Sequence, residues 1–156
     1  MQRVIRPFVL RRTKDEVAKD LPEKQESVIR CDMPPAQAKV YARLRDHYRS
    51  EILAAVDAQG LNRSKIKVLE GLLRLRQAAC HPALVGEDAA SGKLDELVRT
   101  LREVVDEGHK ALVFSQFTKF LALIRQRLEA DGVPYEYLDG RTPANTRAQR
   151  VAAFQN

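Results

Sequence analysis

The strongest constraint on the fold is an alternation of helical and extended patterns after residue 91. Ser91 is the predicted N-cap of a helix whose apolar residues recur at helical spacing over 94–105, and a short, nearly continuous apolar run follows at 110–114. A second helical pattern over 118–132 leads into another short run, 134–138. Thr142-Pro143 then begins a third helix, which is expected to bury Val151 and Phe154. Short apolar runs between helices are typical of strands buried on both faces of a parallel sheet. The order helix–strand–helix–strand–helix therefore predicts an α/β fold with right-handed crossovers.

The part of the chain before this alternation is mainly helical in pattern. Residues 9–19 predict a short basic helix, and 27–33 predicts a strand because it has β-branched residues and partial alternation. Pro34-Pro35 opens a long helical pattern that Gly60 ends. Ser64 is the predicted N-cap of the next helix, which runs to about residue 79. The patterns thus predict a helical segment over 1–90 and a second domain over 91–156, which meet at a loop near 82–92.

The helix after Ser64 has two distinct faces. Its apolar arc holds Ile66, Leu69, Leu72 and Leu73. Arg63, Lys67 and Arg74 fall close together on the opposite face and form a possible basic surface.

The composition favours a polyanionic partner and gives no sign of a membrane protein. The formal net charge is +6 and the pI is about 9.5. No apolar run approaches the roughly 18 residues that a membrane span needs, so no membrane is expected. Cys31 and Cys80 lie far apart and form no disulfide framework, which predicts a reduced, intracellular compartment.

The common templates for catalysis are missing from the sequence. It contains neither a glycine-rich phosphate loop ending in Lys-Ser or Lys-Thr nor a Gly-x-Gly-x-x-Gly fingerprint. Cys80 and His81 are adjacent, which suits a helix end better than a metal centre. No catalytic residue and no metal site are therefore predicted.

The remaining candidates are the loops that follow the two predicted strands. In open α/β sheets, ligands bind beyond the carboxyl ends of the strands, and both loops here run into helix N-termini that favour anions. The candidates for a phosphate-binding surface are the hydroxyls of Ser115, Thr118 and Thr142, together with Arg141 and Arg147. The alternative, which the pattern alone favours, is that Thr118 and Thr142 only cap helices and that Gln116 is only a loop residue.

Four stretches of the chain, in order, resemble the Swi/Snf branch of the superfamily-two helicase-like ATPases. They are Pro-Phe-Val-Leu-Arg-Arg-Thr-Lys (7–14) with Leu-Pro-Glu-Lys (21–24), Leu-Arg-Gln-Ala-Ala-Cys-His-Pro (75–82), Ser-Gly-Lys-Leu (91–94), and Ala-Leu-Val-Phe-Ser-Gln-Phe (111–117) continuing to Tyr-Leu-Asp-Gly-Arg-Thr (137–142). Their order and spacing match the family along nearly the whole chain, and the ordered set is far more specific than any one stretch.

The resemblance implies that the chain is a fragment of a DNA-dependent ATPase. It identifies residues 1–90 as the helical linker between two motor lobes and 91–156 as the start of the second RecA-like lobe, with a partial parallel sheet. It implies that Gln116, Thr142 and Arg147 face DNA and that the segment from Gly140 to Arg147 contributes further contacts to the DNA backbone. It also matches Lys93 to a family lysine, for which a simple role at the helix start is the alternative. Arg141 stands where a small residue is expected.

The resemblance also implies cofactors and partners. ATP and Mg²⁺ would serve the full-length parent, whose other motifs lie outside this sequence, so the fragment alone is expected to be inactive and to hold no cofactor. The partners would be double-stranded DNA, contacted through its backbone, and the first RecA-like lobe of the parent. The compartment would be the cytoplasm and nucleoid of a bacterium, which the compact linker favours, or otherwise a nucleus.

Three other functions stay open from the residues. The first is a non-enzymatic basic helical module that binds nucleic acid through residues 1–80. The second is a protein-interaction domain in which Arg63, Lys67 and Arg74 meet an acidic partner. The third, a small α/β enzyme, is disfavoured because no catalytic constellation is present.

Overall fold

The computed structural model describes residues 12–17, 20, 22 and 24–155, which belong to two compact units, Met1–Arg30 and Cys31–Asn156. In the first unit the described helix is α1, Lys14–Val17. The helix predicted over 9–19 falls partly outside the described residues, as does the motif at 7–14. The remaining helices belong to the second unit: α2 (Pro35–Gln59), α3 (Leu61–Cys80), a 3₁₀ turn (Pro82–Val85), α4 (Gly92–Asp106), α5 (Thr118–Ala130) and α6 (Ala144–Gln155).

Helices α2 and α3 form a hairpin that is packed through small side chains. The chain turns at Gly60, whose φ of 80° is a conformation that favours glycine. On α3 the buried residues are Ser64, Gly71 and Ala78, which are spaced seven apart and so lie along one face. A Cβ built on Gly71 would lie 3.2 Å from both Ile52 and Tyr48 of α2. The small residues therefore let the two backbones approach closely.

The apolar arc of α3 faces away from this hairpin contact. Ile66 is 80% exposed and Leu69 65% exposed, and Leu72 and Leu73 are exposed as well. An apolar arc at helical spacing normally faces a core. Here the small-residue face occupies the contact with α2, and the arc, which we call the outward stripe, is left on the surface. The predicted N-cap at Ser64 is also wrong, because the helix begins at Leu61 and the Ser64 hydroxyl donates to the Gly60 carbonyl at 3.0 Å.

The main core lies where α4 and α5 pack together beside the 3₁₀ turn. The helix pattern of α4 is confirmed: Ser91 caps it by accepting from the Leu94 amide, and Leu94, Val98 and Leu101 are buried. Helix α5 contributes Phe120, Ile124 and Leu128, and the turn contributes Leu84. Ion pairs reinforce this contact, since Arg102 of α4 lies 2.8 Å from Asp131 just after α5.

The predicted α/β class is wrong for this structure. Across the described residues every regular element is helical, and none of the three predicted strands, 27–33, 110–114 and 134–138, forms. A strand forms only through hydrogen bonds to a neighbouring strand. Among the described residues, no backbone hydrogen bond joins 110–114 to 134–138. Leu112 and Phe114 are 69% and 87% exposed, so the run is not buried as a central strand would be. The partial RecA-like sheet is therefore not formed.

Two further expectations for the second unit need correction. Helix α6 begins where Thr142-Pro143 predicts, but it buries none of its residues, and Val151, expected inside, is 42% exposed. Thr118 does not cap α5: Phe117 occupies the N-cap position and makes no side-chain capping bond. None of the helices among the described residues is both long and apolar enough to cross a membrane.

Candidate nucleic-acid interface

A buried polar junction fixes the start of α4 against the hairpin. Gln37, 1% exposed, donates to the Ala78 carbonyl at 2.9 Å and accepts from the Gly92 amide at 3.1 Å. The Ser91 hydroxyl donates to the Cys80 carbonyl at 2.6 Å. These bonds tie α2, the end of α3 and the beginning of α4 together, and they satisfy backbone groups at two helix ends.

Gly92 is required at this junction because the backbone passes so near. A Cβ at this position would lie 2.1 Å from the Asp32 carbonyl oxygen, closer than any real contact. Lys93, beside it, is exposed, with its Nζ 4.0 Å from the Cys80 sulfur. The Ser-Gly-Lys motif thus combines a cap, a close backbone approach and an outward cation.

The first candidate loop, residues 115–118, is organised by Ser115. Its hydroxyl accepts from the Phe117 amide at 3.1 Å, which closes a tight local turn. Gln116 is exposed at the tip of this turn, and its side-chain oxygen accepts a 2.9 Å hydrogen bond from Arg76 on α3. Thr118, the first residue of α5, is exposed. The loop therefore presents a hydroxyl and an amide to solvent, beside an arginine.

The second candidate loop, residues 139–142, is held by Asp139. Its carboxylate accepts from the Arg141 amide at 2.9 Å and from the Thr142 hydroxyl at 3.1 Å. The Arg141 amide is the main cause that lowers the pKa of this carboxyl, with the Thr142 and Tyr137 hydroxyls adding to it against the effect of desolvation. The Thr142 hydroxyl also accepts from the Asp139 amide at 3.0 Å. The Thr142 hydroxyl therefore makes its hydrogen bonds within the loop and stabilises the loop conformation.

The arginines beside the second loop either donate hydrogen bonds to backbone carbonyls at 137–139 or lie exposed at the loop tip. Arg147 of α6 donates to the Asp139 carbonyl at 2.9 Å, and Arg150, one turn later, donates to the Tyr137 carbonyl. Arg141 and Gly140 are exposed at the tip. Thr142 and Arg147 also border an open, mostly apolar hollow of about 570 Å³ along α6. Arg141 and the remaining donors of Arg147 are therefore the charges available to an anion here.

The structure organises each loop separately. No hydrogen bond or ion pair that it records for the described part of the chain links 115–118 to 139–147. The two loops were expected to meet at one edge of a sheet, and the sheet that would bring them together is not formed. The assignment of both loops to DNA stays a prediction.

The possible basic face on α3 consists of Arg63, Lys67 and Arg74, all of which are exposed. Arg74 makes a long hydrogen bond of 3.4 Å to Gln77 on its own helix. Sequence reasoning did not single out Arg76, whose contact with Gln116 spans 40 residues of sequence. The signal that could have identified it is its place in the motif at 75–82, before a helix end.

The chemistry of these residues suits anions better than metal ions. Within the described ranges no group of three or more His, Cys, Asp and Glu side chains is placed to hold a metal. The prediction that Cys80 and His81 mark a helix end agrees with the structure: α3 ends at Cys80, and His81 accepts from the Ala83 amide at the start of the 3₁₀ turn. Amide, hydroxyl and guanidinium donors at loop tips are groups that bind phosphate oxygens.

Known protein families and relatives are similar to the chain along nearly its whole length. The SNF2-related domain matches residues 1–84 and the helicase conserved C-terminal domain matches 92–156. The chain is 30% identical to the nuclear protein STH1/NPS1 of Saccharomyces cerevisiae, with 99% of the chain and 12% of that protein covered. It is 36% identical to the probable ATP-dependent DNA helicase CHR23 of Arabidopsis thaliana, covering 99% of the chain and 15% of that protein.

A solved structure is similar as well. The Sulfolobus solfataricus SWI2/SNF2 ATPase core in complex with dsDNA shares 31% identity and a TM-score of 0.76, over 99% of this chain and 34% of that one. The chain spans only 10% to 18% of the length of the curated relatives it matches. Since the SNF2-related domain alone accounts for more than half of the residues, the chain belongs to the Swi/Snf family of superfamily-two ATPases.

Proposed function

We propose that this chain works as part of an ATP-dependent double-stranded-DNA translocase of the Swi/Snf type. The observation that carries the proposal is the match, over 99% of the chain, to a SWI2/SNF2 ATPase core bound to dsDNA. In this proposal residues 1–90 form the linker and residues 91–156 begin the second motor lobe. ATP and Mg²⁺ are used by the whole protein, whose first lobe is the partner of this chain.

The proposed contacts are to the DNA backbone. Gln116, Ser115 and Thr118 offer neutral donors at the first loop, and Arg141 and Arg147 offer charged donors at the second. Lys93 adds a cation at the start of α4. Contacts of this kind position a duplex without reading its sequence, which is what a protein that moves along DNA requires. The Thr142 hydroxyl, used within its loop, contributes by holding Arg141 and Gly140 in place.

The location of the protein follows from the same proposal. A motor that tracks a duplex works where the duplex is, in a nucleus or in a nucleoid. The yeast relative is named a nuclear protein. A bacterial origin, which the compact linker favoured, has no support in the relatives compared.

The test is steady-state ATP hydrolysis by the complete protein that carries this chain, with and without duplex DNA. Duplex DNA should stimulate hydrolysis strongly, and the paired substitution Arg141→Ala with Arg147→Ala should raise the DNA concentration needed for half-maximal stimulation. Each lost phosphate contact should make the negative slope of log affinity against log salt shallower by about 0.9. If duplex DNA does not stimulate ATP hydrolysis, the proposal is disproved.

A second candidate is a non-enzymatic nucleic-acid-binding module, favoured by the exposed basic face on α3. The matched variant is Arg63→Ala with Arg74→Ala, which removes the same charge from the basic face. If this pair weakens DNA binding while the Arg141 and Arg147 pair does not, the basic module becomes the better account. The translocase predicts the reverse order.

A further inference from the structure

One hydrogen bond connects the helical hairpin to the first candidate loop. The guanidinium Nη2 of Arg76, in the last turns of α3, lies 2.9 Å from the side-chain oxygen of Gln116. Both residues are exposed. Among the described residues, Arg76 makes the recorded side-chain hydrogen bond to Gln116, while the neighbouring Ser115 hydroxyl bonds to the Phe117 backbone.

The direction of this bond decides which atoms face outward. A carboxamide has one accepting oxygen and one donating NH₂ group, and Arg76 occupies the oxygen. The two N–H groups of Gln116 are thereby turned away from the guanidinium, as donors. Arg76 donates through one nitrogen and keeps further N–H groups of its planar fork. The pair therefore presents a neutral donor and a cation side by side, a combination that matches the oxygens of a phosphate.

We propose that Arg76 is a positioning residue that orients Gln116 toward one phosphate of the DNA backbone and places its own charge beside that phosphate. This inference rests on the proposed function and adds to it a residue from the helical hairpin. It also gives the hairpin a direct link to the DNA-facing loop, through a contact between residues that are 40 apart in sequence. The ligand chemistry is a phosphodiester within a duplex.

The test is a double-mutant cycle in the complete protein, with DNA-stimulated ATP hydrolysis as the readout. The variants are Arg76→Ala, Gln116→Ala and both together. We expect Arg76→Ala to raise the half-saturating DNA concentration by about tenfold, as the loss of one charged hydrogen bond does, with a smaller effect on kcat at saturating DNA. The double variant should be weaker than wild type by much less than the product of the two single effects, because one contact is shared.

Two further variants separate positioning from charge. Arg76→Lys keeps the cation but loses the planar fork, so it should retain the salt slope of the wild type while binding DNA more weakly. Arg49→Ala removes an exposed arginine from α2, outside both loops, and serves as the charge-matched control. Thermal unfolding of each variant checks that the exposed substitutions leave the fold intact.

The outcomes distinguish this inference from the function on which it rests. If the wild-type protein shows no stimulation by DNA, the proposed function fails. If the wild type is stimulated but Arg76→Ala behaves like Arg49→Ala, the function stands and the role of Arg76 is disproved. Independent, multiplicative effects of Arg76→Ala and Gln116→Ala would likewise overturn the positioning role.

Discussion

At residue 92 the fold leaves no space for a side chain. The backbone carbonyl of Asp32 passes so near that even a methyl group would be 2.1 Å away. Around this point Gln37 and Ser91 satisfy the helix ends through their side chains. The identities of these residues are therefore constrained by packing, whereas a Cβ at the exposed Gly140 would meet nothing within 4 Å.

Replacing Gly92 with alanine should lower the free energy of unfolding by about 2–4 kcal/mol, since either the backbone or Asp32 must shift. Urea unfolding followed by circular dichroism measures the change. Gly140→Ala is the matched control because a Cβ at Gly140 meets nothing within 4 Å, and it should change stability by less than about 0.5 kcal/mol. Equal effects at both glycines would contradict the packing argument.

His81 gives the stability a defined pH dependence. Desolvation lowers the pKa of this half-buried imidazole below its ordinary 6.5, and the charge of Asp95 opposes that shift only in part. The folded state then binds fewer protons than the unfolded state, so the contribution is fully present above about pH 6.5 and is lost as the pH falls toward the folded pKa. Unfolding free energies measured between about pH 7.5 and pH 5 should decline, and His81→Asn should flatten that decline.

At the scale of elements, periodicity located the helices well but did not identify the buried face of α3. The arc of large apolar residues forms the outward stripe, while Ser64, Gly71 and Ala78 make the contact with α2. Small residues gain little by burial themselves, yet they allow the helices to approach and pack densely. A hydrophobic pattern weighs residues by size, so it favours the arc that the structure leaves exposed.

A charged residue in the outward stripe should therefore be tolerated. Leu69→Lys should change the free energy of unfolding by less than about 0.5 kcal/mol, because the position is 65% exposed. Val98→Lys, at a core position that is 2% exposed, should cost about 3 kcal/mol or more or prevent folding. Thermal or urea unfolding of both variants measures the difference. A large loss of stability in Leu69→Lys would mean that the stripe is covered in the folded protein.

At the scale of the whole second unit, the junction around Gln37 joins the helical hairpin to the part of the chain that follows. One side chain bonds to residues 41 and 55 positions away and is almost fully buried. The helix that it contacts, α4, continues from Gly92 into the core that it forms with α5. Movements of the hairpin and of the start of α4 are therefore coupled through a small number of buried polar contacts.

Gln37→Leu keeps much of the volume but leaves the Ala78 carbonyl and the Gly92 amide without their partner. The unpaired groups should lower the free energy of unfolding by about 1–3 kcal/mol. Gln126→Leu, at an exposed position on α5, is the control and should be nearly neutral. Denaturant unfolding monitored by circular dichroism tests both. A neutral Gln37→Leu variant would show that the junction does not depend on this side chain.

The sequence by itself determined the elements that depend on local interactions. Helices α2 and α4 have the bounds that Pro35, Gly60 and the Ser91 cap predict, because helical hydrogen bonds, caps and glycine stops lie within a few residues of each other. The ordered motifs were also sufficient to predict the Swi/Snf family, which the comparisons confirm. The polar donors of the two candidate loops could be identified from their residues, although the contact of these loops with DNA stays a prediction.

Only the tertiary structure decided the features that depend on distant partners. The runs at 110–114 and 134–138 have the composition of strands, but a strand needs a neighbour to bond with, and the structure pairs neither run. The buried face of α3, the steric requirement at Gly92 and the bond from Arg76 to Gln116 likewise arise from residues far apart in sequence. The physical reason is the same in each case: local hydrogen bonding is encoded within a turn of helix, whereas packing and strand pairing are set by which surfaces meet in space.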